Sequence, residues 1–175
     1  NRYNLCNQQI AQVMHRARLA TLLINLLTPQ EEAIDLRTRH YFRFNINFLA
    51  QRLIKLTDWL MHQAATQPLK IGYFGVSSGS AAALVAAAER PDAVGAVVSW
   101  GGCPDLTQSM ECPIQAPILL MMAEKDTPAI AWEIPTQLPG ETQIKIIPST
   151  THLLEEPGAL ETVGRLASQW FEQYL

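Results

Sequence analysis

Apolar positions along the chain fall into two rhythms. Five short runs are nearly unbroken in apolar character, at residues 21–27, 70–75, 94–100, 117–123 and 143–148, although within the last of them residues 143–147 alternate. Continuous apolar runs bounded by turn residues suit strands buried on both faces of a parallel sheet. Between these runs, residues 46–63 carry Phe48, Leu49, Leu53, Leu56, Trp59 and Leu60 in a helical pattern, and residues 80–90 are Ala-rich and stopped by Pro91. Residues 157–175 place Leu160, Val163, Leu166, Ala167, Trp170 and Tyr174 at three- and four-residue spacing, with Pro157 suited to a helix start. Strand and helix therefore alternate. This predicts a three-layer α/β/α fold, with a mainly parallel sheet of about five strands, in a single domain over residues 1–175. Residues 127–140 contain Pro128, Pro135 and Pro139, so a helix there is short or kinked. The sequence has no internal repeat and no low-complexity linker.

Composition narrows the function classes. Hydrophobic residues make up 48% and charged residues 17% of the 175, enough apolar surface for a packed core. A net charge of −3, without a basic cluster interleaved with aromatics, argues against nucleic acid as a partner. Cys6, Cys103 and Cys112 form an odd set with no Cys-x-x-Cys and no His at ligand spacing. That pattern predicts neither a disulfide framework nor a metal site, and fits a reducing, cytoplasmic setting. The apolar run from Leu19 to Leu27 is broken by Thr21 and Asn25 and is about half the length a bilayer needs, so no membrane segment is expected. Residue 1 is Asn, which leads us to expect a translation start further upstream.

The chemistry-bearing pattern is Gly75-Val76-Ser77-Ser78-Gly79, a Gly-x-Ser-x-Gly that follows an apolar strand and opens a helix. The bare pattern should occur by chance in roughly one chain in twenty of this length, so the strand-turn-helix context carries the signal. In that context Ser77 sits on a sharp, strained turn above the sheet edge, and small residues at 75 and 79 are expected to let the backbones pass. A serine hydroxyl needs an adjacent base, itself oriented by a third group. Asp126 follows the run at 117–123 and His152 follows the run at 143–148, both at the strand ends that bear Ser77. The chain order is Ser, Asp, His. The Ser78 amide, in the first turn of the helix, would face a developing oxyanion.

Residues 70–84 (KIGYFGVSSGSAAAL), 123–126 (AEKD) and 151–160 (THLLEEPGAL) resemble the dienelactone-hydrolase-like branch of the α/β-hydrolases, and the likeness covers nearly the whole chain. The resemblance implies Ser77 as nucleophile, Asp126 as acid and His152 as base. It also implies a serine hydrolase, a carboxylesterase-type enzyme cleaving ester or related acyl bonds of small molecules through an acyl-enzyme, with no cofactor. Dienelactone hydrolases proper use cysteine, so lactone specificity does not carry over to Ser77. Relatives of this branch also occur fused to phosphoribosyltransferase domains, which nothing in these residues encodes.

The sequence departs from the family at its start. The strands that usually precede residues 21–27 are missing, as is the loop that supplies the second oxyanion donor, and residues 1–18 read as the helix following that loop. Residues 21–27 are therefore expected either to pair with the 70–75 strand or to meet residues from another chain or an upstream segment. A homo-oligomer and an N-terminal segment outside this sequence are both open. Competing readings accompany each site residue. Ser77 could be a plain helix cap, His152 a surface histidine, and Asp126 a turn residue with Asp105 as the acid instead. Arg37, Arg39, His40 and Arg43 could hold an anionic substrate group, or pair with Glu31, Glu32 and Asp35. Trp100 is expected as core or pocket wall. Cys103, after Gly101-Gly102, could line the pocket or serve as a small buried hydrophobe. The rival to the enzyme is a binding or assembly module on the same fold.

Overall fold

A computed structural model describes residues 2–102, 113–126 and 141–175. Within them four strands, β1 (Ile71–Val76), β2 (Val94–Trp100), β3 (Ile118–Ala123) and β4 (Thr142–Ile147), lie side by side in chain order. Every pair is parallel. The unbroken apolar runs are explained by position: every residue of β3 is buried, and so is every residue of β2 except Gly95. The alternating run became β4, an edge strand whose Ile144 and Ile146 are exposed.

Five helices complete the described chain: α1 (Leu5–Arg16), α2 (Pro29–Asp35), α3 (Ile46–Met61), α4 (Ser78–Glu89) and α5 (Ala159–Tyr174). Helices α3 and α4 cover one sheet face, where Leu49, Ala50 and the buried alanines of α4 meet Tyr73, Val97, Ile118 and Leu120. On the other face α1 and α5 bury Ile10, Met14, Val163 and Ala167 against Ala96, Val98, Leu119 and Met121. Each fully buried Val, Leu or Ile in these layers contributes about 1.5–3 kcal/mol. The three-layer α/β/α architecture expected from the sequence is present.

Residues 21–27 are not a strand. They run as unpaired coil, with Leu22 55% exposed, and the expected pairing with β1 is not made. An apolar run becomes a strand only when a neighbour satisfies its backbone, and none of the described strands pairs with it. Its side chains instead hold the segment: Leu26 and Leu27 pack in the cluster under α3 and α4, and Leu19, just before it, packs in the cluster under α1 and α5. Helix α2 was not anticipated, although Thr28-Pro29-Gln30-Glu31 announces it. The Thr28 hydroxyl caps the Glu31 amide, the Glu31 carboxylate accepts from the Thr28 amide, and Pro29 opens the helix.

Because all four strands run the same way, their carboxyl ends share one edge. The segments after β1, β3 and β4 carry Ser77, Asp126 and His152.

Candidate active site

Ser77 sits between β1 and α4 with φ 54° and ψ −125°, a conformation that costs a non-glycine residue about 1–3 kcal/mol. Neighbouring bonds hold it there. The Ser77 amide donates to the Trp100 carbonyl at 3.0 Å, and the Ser77 carbonyl accepts from the Ser80 amide at 2.9 Å. The buried Ser80 hydroxyl donates to the carbonyls of Gly75 (2.7 Å) and Trp100 (3.2 Å), pinning the turn to both strands. At position 75 a Cβ would lie 2.5 Å from the Ser80 Cα, so only glycine fits. The same demand was expected at position 79, but a Cβ there would meet nothing within 4 Å. The helix turns that face of Gly79 away from the crossing, and the restriction belongs to Gly75 alone. The Ser77 side chain makes no capping bond and the residue is exposed, unlike an ordinary helix cap. Ser78 is the first residue of α4, so its amide has no acceptor within the helix.

The sheet register pairs Val76 with Trp100, which brings Ser77 beside the Trp100–Gly101 segment. His152 reaches the same segment from the loop after β4. Its ring occupies the space over Gly101, where a Cβ would lie 2.3 Å from both Nδ1 and Cε1, and Gly101 itself has φ 56°. The Trp100 indole N–H donates to the His152 carbonyl at 2.9 Å. Asp126 ends a short 3₁₀ turn (Glu124–Asp126) after β3, and its Oδ2 lies 3.8 Å from His152 Nδ1. That is ion-pair range, longer than a hydrogen bond. Among the described residues the Ser77 hydroxyl and the His152 ring are not hydrogen-bonded to each other. Catalytic bonds of this kind are often long in an empty site and tighten around substrate.

The loop bearing His152 is itself strained, with Ser149 at φ 58° and Leu154 at φ 56°. Three contacts tie it to the turn bearing Asp126: the Ser149 amide donates to Glu124 Oε2 (2.7 Å), the Lys125 amide donates to the Thr150 carbonyl (3.2 Å), and Lys125 Nζ meets Glu156 Oε1 at 3.1 Å. The Thr151 amide, foremost among its partners, holds the Glu156 carboxyl down at about 2, and Lys125 and the Thr151 hydroxyl add to the effect against the desolvation that opposes it.

The basic segment after α2 is organised by Asp35. This carboxylate is fully buried and accepts from the amides of Phe42 (2.8 Å) and Arg43 (3.0 Å), with His40 Nδ1 at 3.2 Å and Arg43 Nε at 3.5 Å. Burial pushes its pKa up, but the Arg43 and Phe42 amides, the His40 ring and the Arg43 charge outweigh that and leave it below the ordinary value. Arg39 and His40, with φ 53° and 62°, line an open cavity of about 560 Å³ together with Tyr41, Phe44 and residues 45–47. Arg37 is exposed. The polar contacts found for this segment run to α2 rather than to Ser77, Asp126 or His152. Glu31, one of the partners weighed for these cations, instead binds Arg52 through both oxygens at 2.6 Å, and this bond leads the causes that lower its pKa to about 2. Trp100 is 1% exposed, in the core rather than on a pocket wall. Cys103 and Asp105 lie outside the described residues. The described His, Cys, Asp and Glu side chains form no group of three able to hold a metal ion, and no described helix is long and apolar enough to cross a membrane.

Comparison with known proteins gives a consistent picture. Residues 20–142 match the dienelactone hydrolase family, a span that includes Ser77 and Asp126 and stops short of His152. Among solved structures, a dienelactone hydrolase from Anabaena variabilis is 53% identical, with a TM-score of 0.92 over 99% of this chain and 81% of its own. Est1E from Butyrivibrio proteoclasticus, at 12% identity, shares the fold with a TM-score of 0.70 over 99% of this chain and 83% of its own. Proteins of two Mycobacterium tuberculosis strains, provisionally named phosphoribosyl transferases, are 44% identical over all of this chain. The chain spans 39% of the length of these curated relatives.

Proposed function

Since this chain belongs to the dienelactone hydrolase family, we propose that it is a serine hydrolase of ester-type acyl bonds, working through Ser77, His152 and Asp126. The observation that carries the reading is the pairing of a strained, exposed Ser77 with a His152 ring seated over Gly101, both bearing on the Trp100–Gly101 segment. Because Nδ1 faces Asp126, Nε2 is the nitrogen left to serve Ser77. His152 takes the hydroxyl proton as Ser77 Oγ attacks the carbonyl carbon, and Asp126 orients the resulting imidazolium. The tetrahedral oxyanion accepts from the Ser78 amide at the positive end of α4. The imidazolium then protonates the leaving alkoxide. Water, deprotonated by His152, releases the acyl group and returns Ser77 to its free state.

The second oxyanion donor has no assigned residue in this sequence, and losing one such donor costs about 10²–10³ in rate. Covalent labelling is therefore a more sensitive readout than turnover. Arg37, Arg39 and His40 are our candidates for contacting an anionic substituent, with His40 already engaged by Asp35. We assign the phosphoribosyl transfer in the names of the M. tuberculosis relatives to the part of those proteins outside this chain.

The test is reaction with a fluorophosphonate probe and turnover of p-nitrophenyl acetate. Both are expected in the wild type, and Ser77→Ala should lower each by at least about 10³-fold. A folded wild type that does neither, or labelling that survives Ser77→Ala, would leave a binding or assembly module as the better reading.

A further inference from the structure

The loop bearing His152 contains two adjacent glutamates with different surroundings. Glu155 is exposed. Glu156 turns inward, with its side chain 25% exposed, and each of its oxygens has a partner. Oε1 accepts from Lys125 Nζ at 3.1 Å and Oε2 from the Thr151 hydroxyl at 3.3 Å. These partners are adjacent in sequence to the two residues placed beside His152 Nδ1 and at His152 itself. Lys125 immediately precedes Asp126, and Thr151 immediately precedes His152.

We propose that Glu156 is a positioning residue for the proposed hydrolysis, one carboxylate that fixes the acid-bearing turn against the base-bearing loop and so sets the spacing between Asp126 and His152. The inference rests on the triad reading above. An exposed ion pair alone contributes little, and Lys125 is 54% exposed. The bond from the Thr151 hydroxyl adds to it, and the two together give the carboxylate a partner on each of the two segments. They act where geometry is demanding: the loop carries left-handed residues at 149 and 154, and the acid stands 3.8 Å from the ring, so a small shift decides whether the pair closes. A misplacement of about 1 Å at such a site costs on the order of 10²-fold in rate. Glu156 touches neither the Ser77 hydroxyl nor the ring, so it acts only through its neighbours.

The experiment measures p-nitrophenyl acetate turnover per molecule of folded protein, the folded fraction being read from circular dichroism and the denaturant midpoint of each variant. Glu156→Ala, Glu156→Gln, Glu155→Gln and Ser77→Ala are compared with the wild type. The expected result is a kcat lower by roughly 30- to 100-fold in Glu156→Ala, with KM within about twofold of wild type. Glu156→Gln, whose amide oxygen can still accept from Thr151, should fall about three- to tenfold, and Glu155→Gln should match the wild type. If Glu156→Ala does not fold, Glu156→Gln carries the test. A wild-type kcat in whichever variant carries the test, or a loss appearing in KM alone, overturns the positioning role and leaves the triad standing. A wild type that neither turns over p-nitrophenyl acetate nor labels with the fluorophosphonate probe, or turnover and labelling that survive Ser77→Ala, overturns the triad and this role with it.

Discussion

The two turns that meet over the Trp100–Gly101 segment are both strained, yet they are held in opposite ways. The turn at Ser77 closes on its own neighbours and is pinned across the sheet only at the Trp100 carbonyl, by the Ser77 amide and the Ser80 hydroxyl. Gly75 lets the chain fold back, the Ser80 amide closes on the Ser77 carbonyl, and the Ser80 hydroxyl reaches the Gly75 carbonyl, all within six residues. The loop at His152 has local bonds too, from the Leu154 amide to the Thr151 carbonyl and from the Thr150 hydroxyl to the Ile147 carbonyl, but it leans more on other segments. Its left-handed residues are Ser149 and Leu154 rather than glycines, and its long-range restraints come from Glu124 and Lys125 in the turn after β3 and from Trp100 in β2, with Glu156 bridging back. Strain at a nucleophile can thus be encoded in a short motif, whereas strain at its base is imposed by the assembled sheet.

The strongest way to break this contrast is at the glycines of the first turn. Gly75→Ala forces a Cβ to 2.5 Å from the Ser80 Cα and should destabilise by about 3 kcal/mol or more, read as a fall in the denaturant midpoint. Gly79→Ala adds a methyl to open space in a helix and should be neutral or stabilising by up to about 1 kcal/mol. Equal losses from the two would mean the turn is not local in origin.

Gly101→Ala probes the seat of the histidine. A Cβ there collides with the His152 ring, and Gly101 is left-handed, so about 1 kcal/mol of stability and roughly 10²-fold in kcat/KM should go together. A fall in stability with full activity would show that the ring does not need that seat.

The smallest effect sharpens the comparison with pH. The Glu156 carboxyl is held at about 2 in the folded protein against an ordinary 4.5, chiefly by the Thr151 amide. Its contribution is complete above about pH 4.5 and is lost as pH falls toward 2, because the unfolded chain takes up the proton first. Amide protection at Thr151 should therefore weaken over that window, while protection at Ser80, in a turn without carboxylates, should not. Glu156→Gln should flatten the dependence at Thr151.

Much of this was legible in the residues themselves. The runs at 94–100 and 117–123 became central strands, as continuous apolar segments with both faces covered suit, and the Ala-rich stretch became a helix packed close to the sheet. The run at 21–27 had the same composition and failed, since strand formation depends on a partner that no local pattern supplies. Helix α2 is encoded by its cap at Thr28 to Glu31 rather than by an apolar stripe, which is weak across seven residues.

The sequence by itself determined the order of the layers and the turn at Ser77, because periodicity and short-range sterics are properties of contiguous residues. Only the tertiary structure decided that the His152 ring rests over Gly101, that Asp126 approaches it, and that Glu156 joins their two loops. Those contacts link residues in the segments that follow different strands, and their distances exist only once the parallel sheet has set its register.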